Sequence, residues 1–166
     1  MQLRSEILKE HSKAQAQKII DWVGHSQERF DALVQLFLGD EYRVTQRAAW
    51  PLSYIAIEHP SLAKKHLPVF VKLLSNAKLH KAVRRNVMRL LQFVEIPEEL
   101  HGELMNHCFD FIADVNEAAA VKAFSLSILE KLSKQYPDIQ SEIKTIVQER
   151  WDYETPAFHV RARKWL

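Results

Sequence analysis

A valine-led segment recurs along this chain, as Val44-Thr-Gln-Arg-Ala-Ala-Trp-Pro-Leu52, Val83-Arg-Arg-Asn-Val-Met-Arg-Leu-Leu91, Val121-Lys-Ala-Phe-Ser-Leu-Ser-Ile-Leu129 and Val160-Arg-Ala-Arg-Lys-Trp-Leu166. The valines stand 39, 38 and 39 residues apart. Self-similarity at such a period marks an array of one supersecondary unit, none of which can bury its apolar face alone. In the three complete segments the positions eight and eleven after the valine are apolar again, as Leu52 and Ile55, Leu91 and Val94, and Leu129 and Leu132. Steps of 0, 8 and 11 lie on one face of a helix, so each segment is read as an amphipathic helix, here termed a B helix.

Proline recurs in phase with the valines. Pro60, Pro97 and Pro137 fall 16, 14 and 16 residues after them, where each is expected to end one helix and open the link to the next. Further amphipathic stretches follow, Leu62 to Leu74, Leu100 to Ile112 and Ile139 to Trp151, termed A helices. The chain then turns back through Ser75-Asn76, Asp114 to Asn116, and Asp152 to Pro156. Ahead of the first valine, Ala14 to Val23 reads as a B-like helix stopped at Gly24, and Phe30 to Leu38 as a shortened A helix stopped at Gly39. The expectation is one all-α domain over 1–166, a short right-handed superhelix of about four hairpins. It divides into a terminal cap pair at about 3–39, repeats at about 42–75, 80–114 and 117–152, and a partial last helix at 156–166. The apolar stripes are read as core rather than as a cofactor pocket.

Composition agrees with helix. Three glycines and six prolines are too few turn-formers for a many-stranded β fold. The lone Cys108 excludes an internal disulfide and no Asn-x-Ser/Thr acceptor occurs. The segment from Met1 to Lys18 is too polar for a signal peptide, and charges interrupt every apolar run before membrane-spanning length. A cytoplasmic location away from membranes is the resulting expectation.

With this register, Leu67-Pro-Val-Phe-Val-Lys-Leu-Leu74 followed by Ala82-Val-Arg-Arg-Asn-Val-Met-Arg-Leu-Leu91 resembles the HEAT repeat. That family places a proline within its first helix and a Val-Arg pair near the start of its second. Val83-Arg84, Val121-Lys122 and Val160-Arg161 match the pair, whereas Val44-Thr45 keeps only the valine. The resemblance covers roughly residues 14 to 166 and implies a stacked helical solenoid with B helices on its concave side. A tetratricopeptide array would need about 34 residues per repeat and a different Trp/Gly/Tyr pattern. Pro51, well inside its B helix, leaves the carbonyl of Arg47 without its usual donor and is expected to kink the helix there.

Charge is segregated by layer. The B segments 42–58, 80–94, 117–134 and 158–166 hold 12 Lys and Arg against 3 Asp and Glu, while the remainder holds 11 against 18. The modest total of +2 therefore separates into +9 and −7. If the B layer lines a groove, Arg43, Arg47, Lys81, Arg84, Arg85, Arg89, Lys122, Arg161 and Arg163 form a positive surface for an anionic partner. An acidic protein or peptide segment is the first expectation and nucleic acid the second. Trp50 would offer a stacking face for a base or a cation–π partner for arginine, with core packing as its alternative role. Arginine after the valine is partly a family habit, pairing with turn acids such as Asp114 or Asp152. Arg85 and Arg89 lie outside that pattern and carry most of the binding expectation.

No cofactor, metal or catalytic site is expected. Glu103, His107 and Asp110 share one helical face, yet neither His-Glu-x-x-His nor paired Cys-x-x-Cys spacing occurs. Cys108, with Leu104 and Ile112 at four-residue steps, reads as a small buried hydrophobe. Gly-rich phosphate loops and Gly-x-Ser-x-Gly elbows are absent. The chain also has a partial similarity to HEAT-like DNA alkylation repair glycosylases, which combine a basic groove and tryptophans with an essential Asp. This sequence departs from them in having no Asp in any B segment. Trp165 and Leu166, only seven residues into the last B helix, suggest self-association through the C-terminal edge as a further expectation.

Overall fold

A computed structural model describes residues 1–166 as helices joined by short turns, without strands. The packing of its helices groups the chain into two compact units. One is Met1–Phe70 with Lys78–Glu95, and the other is Val71–Ala77 with Ile96–Leu166. Local clustering of this kind is expected where each helix pair packs only on its neighbours.

The first unit holds α1 (Leu3–Lys9), α2 (Lys13–Val23), α3 (Gln27–Phe37), α4 (Tyr42–Glu58), α5 (Pro60–Ala63), the start of α6 (Leu67–Leu73), and α7 (Lys81–Leu91). Side chains start its helices. The hydroxyl oxygens of Ser12 and Ser26 accept from the amides of Gln15 and Arg29 at 3.0 and 3.2 Å, and His80 Nδ1 accepts from the Ala82 amide at 3.1 Å. Helix α2 ends at Gly24, whose φ of 51° is a conformation that side-chain-bearing residues rarely adopt. The expected A helix from Leu62 to Leu74 is divided into α5, a 3-10 turn at Lys64–His66, and α6. Pro68 is the cause: it has no N–H for the Lys64 carbonyl, which instead accepts from Leu67 in a tighter turn. By contrast α4 runs helical through Pro51.

Helix α4 is the hub of this unit, packing on α1, α2, α3 and α7. Its buried stripe of Val44, Ala48, Leu52 and Ile55 follows the predicted spacing, as does Val83, Val87 and Leu91 in α7. Phe30, Leu33 and Phe37 of α3 and Phe70 of α6 complete the core. One polar link is buried there, from the Ser53 hydroxyl to Asn86 Oδ1 at 3.1 Å, and Asn86 Nδ2 donates to the Ala82 carbonyl at 2.8 Å. Every hydrogen-bonding group of that pair thus finds a partner at hydrogen-bond distance.

The second unit holds α8 (His101–Ala113), α9 (Ala119–Gln135), α10 (Gln140–Arg150) and α11 (Pro156–Ala162). Helix α9 packs on α8 and α11. Cys108 is fully buried among these helices, and burial pushes its thiol pKa up. That is the small-hydrophobe role expected of it.

The fourth repeat corrects the register. Val44, Val83 and Val121 are each the third residue of their helices and are buried, whereas Val160 is 68% exposed. The third residue of α11 is Phe158, which is 0% exposed, and Ala162 one turn later is also buried. Pro156 sets this phase by occupying the first helical position after Thr155. The last repeat is therefore 37 residues from Val121 rather than 39, and its counterpart of Arg84 and Lys122 is His159 instead of Arg161.

Candidate interaction surface

In the first unit the predicted site residues fall on α4 and α7, two helices packed against each other. Arg43, Lys81 and Arg85 are exposed, while Arg47, Trp50, Arg84 and Arg89 are half-buried. Lys81, Arg85 and Arg89 follow each other at four-residue steps and so form a stripe along one side of α7. That helix contains no carboxylate, and none of the three takes part in an ion pair. The apolar face of α7 anchors the stripe through Val83, Val87, Leu90 and Leu91.

Several cations elsewhere in the chain, by contrast, are held by carboxylates. Arg4 meets Glu41 at 2.5 Å, Lys18 meets Glu6 at 3.0 Å, Lys65 meets Asp31 at 2.7 Å and Lys164 meets Glu130 at 2.6 Å.

Trp50 ends up neither in the core nor over an arginine. Its ring stacks on Tyr54 with centroids 5.6 Å apart and planes at 28°. Its side chain is one wall of a cleft of about 390 Å³ lined by α1, the α1–α2 turn, α2 and α4. Ile7, Ala16 and Ile19 give the cleft an apolar floor, and Lys13 and Arg47 stand on its lining. Arg47 donates from Nη1 to the Leu8 carbonyl at 3.1 Å, fixing its guanidinium beside α1. Sequence reasoning located Arg47 and Trp50 but missed the α1 and α2 lining, because the charge pattern drew attention only to B helices. The signal available was the amphipathic run Ile7, Ala16, Ile19 on either side of a polar turn.

In the second unit Lys122 is removed from the candidate surface. Its side chain is only 2% exposed, and its ammonium lies 2.5 Å from Glu154, which also accepts from Arg150 at 2.9 and 3.0 Å. Burial of a lysine demands such pairing, and the pair leaves no charge for a ligand. Arg161 is half-buried, donating from Nε to the Ser127 hydroxyl at 3.0 Å, with its guanidinium 6.0 Å from the Phe124 ring centroid. Arg163 is exposed. On α8, His107 Nε2 lies 3.7 Å from Glu103 and 3.4 Å from the Ser75 hydroxyl, and its ring stacks on Phe111, so the histidine belongs to a local packing cluster.

No helix is long and apolar enough to cross a membrane. Compared with known families, residues 3–164 match the profile of the HEAT repeat domain. Neither the curated proteins nor the solved structures contain a significant match to the chain.

Proposed function

Because the chain belongs to the HEAT repeat domain family, we propose that it is a non-enzymatic interaction scaffold that binds an acidic peptide or protein segment on the basic faces of α4 and α7. The observation that carries this reading is the Lys81, Arg85 and Arg89 stripe, unpaired on a helix without carboxylates. Like charges one turn apart destabilise a helix by roughly 0.2–0.5 kcal/mol per pair, a cost that an anionic partner removes. Fluorescence anisotropy with a labelled Glu/Asp peptide at low salt tests the reading. Binding that disappears in the Arg85→Glu/Arg89→Glu double variant is expected. Equal binding by that variant and the parent overturns it.

A nucleic-acid partner is the second reading, favoured by the half-buried Trp50 ring stacked on Tyr54 beside Arg47. It predicts preference for a single-stranded oligonucleotide over the acidic peptide, with affinity falling steeply as salt rises. An oligonucleotide that fails to bind at low salt eliminates it.

A further inference from the structure

The cleft between α1, α2 and α4 has a composition that the charge pattern alone does not explain. We infer that it is an anchor pocket receiving one aromatic or branched aliphatic side chain from an acidic peptide segment, an inference that rests on the acidic-partner reading above and gives it a specificity element.

Three observations carry it. The cleft's volume of about 390 Å³ lies at the small end of the roughly 300–1,000 Å³ typical of ligand sites, which suits a single large side chain better than a whole helix. Its apolar lining is packed in place: Ile7 and Ile19 belong to the core, Pro51 lies on the α4 side, and Trp50 stacks on Tyr54. Aromatic walls of this sort supply large contact area at low entropic cost.

The charge of the lining selects the flanks of the guest. Lys13, Arg47 and His11 line the cleft, and Glu10 is its only carboxylate. Nearby Glu6 is already engaged, accepting from Gln15 Nε2 at 2.9 Å and from Lys18 Nζ at 3.0 Å. Acidic residues flanking the inserted side chain would meet Lys13 and Arg47, and the stripe on α7 belongs to the same unit.

The test uses the full chain and two labelled probes, a short Glu/Asp peptide with one central Phe and its twin with Ser in that place. Anisotropy is measured at low salt. The Phe probe should bind at least about tenfold more tightly than its twin, as burial of one such side chain implies. That advantage should vanish in Trp50→Ala, which removes the wall, and in Ala16→Leu, which fills the floor without removing any contact. Circular dichroism melts establish that both variants are folded. Twins that bind equally well overturn the anchor pocket and leave the basic-face reading standing, as does an advantage that survives Ala16→Leu. A Phe probe whose tight binding ignores Arg85→Glu/Arg89→Glu upholds the pocket and overturns the basic-face reading. Failure of both probes at low salt overturns both.

Discussion

The ammonium of Lys122 lies 2.5 Å from the carboxylate of Glu154, with the two side chains 2% and 5% exposed. This pair takes the fourth residue of α9 out of solvent and ties that helix to the turn after α10. Breaking a buried pair by removing one partner costs about 3–5 kcal/mol, because a charge is left uncompensated. Here Arg150 remains on Glu154, so Lys122→Met should fall at the lower end of that range. Adding Glu154→Gln should deepen the loss, because it leaves Arg150 without its carboxylate. Urea unfolding of the single and double variants measures both, and peptide binding should be unaffected in either.

The Lys122 case shows how far the sequence could be read. Composition and the valine period specify the helices and the hydrophobic stripes, because periodicity is a direct imprint of which face is buried. Charge counts cannot say whether a lysine reaches solvent or a carboxylate 32 residues away, since that depends on the fold of the intervening turn. Arg85 and Arg89 were legible as surface residues because they lie off the apolar stripe, whereas Lys122 lies next to it. The α1–α2 half of the cleft was not legible, because its lining comes from segments outside the repeat pattern.

The corrected phase of the fourth repeat makes a clean contrast between two apolar residues of α11. Phe158 is 0% exposed and Val160 is 68% exposed, although the valine fits the sequence period better. Phe158→Ala should cost about 3–5 kcal/mol through lost burial and a residual cavity. Val160→Ala should stay within about 0.5 kcal/mol of the parent, as surface substitutions do. Thermal or urea denaturation of the two variants side by side decides it, and a larger loss in Val160→Ala would restore the original register.

Acid should weaken the first unit through Asp31. Burial raises the pKa of this carboxyl, but hydrogen bonds from Lys65, Gln27 and His66 outweigh burial and hold it at about 2. The His66 contact is 2.6 Å and the Lys65 contact 2.7 Å. A carboxylate whose folded pKa is depressed stabilises the fold above its unfolded value, near 4, and loses that contribution as pH falls toward 2. Because Lys65 is largely exposed, solvent screening limits the effect to about 1 kcal/mol. Asp31→Asn should therefore be less stable than the parent at neutral pH, and the two should converge between about pH 4 and pH 2. Curves that remain parallel through that window would show that the Asp31 cluster contributes nothing.

The stripe on α7 offers a way to separate a binding surface from a structural one. Lys81, Arg85 and Arg89 set two like-charge pairs at four-residue spacing, each unfavourable by roughly 0.2–0.5 kcal/mol. Arg85→Glu converts both repulsions into attractions, so the variant should be more stable than the parent by about 1–2 kcal/mol. If the arginine serves structure, the same substitution must lower stability instead. Arg85→Glu should also weaken acidic-peptide binding, and both effects should shrink as salt rises, since screening acts on exposed charges alike. Gain of stability with loss of binding is the signature of a residue placed for a partner at some cost to the fold, and urea titration combined with anisotropy on one variant reads both sides of that exchange.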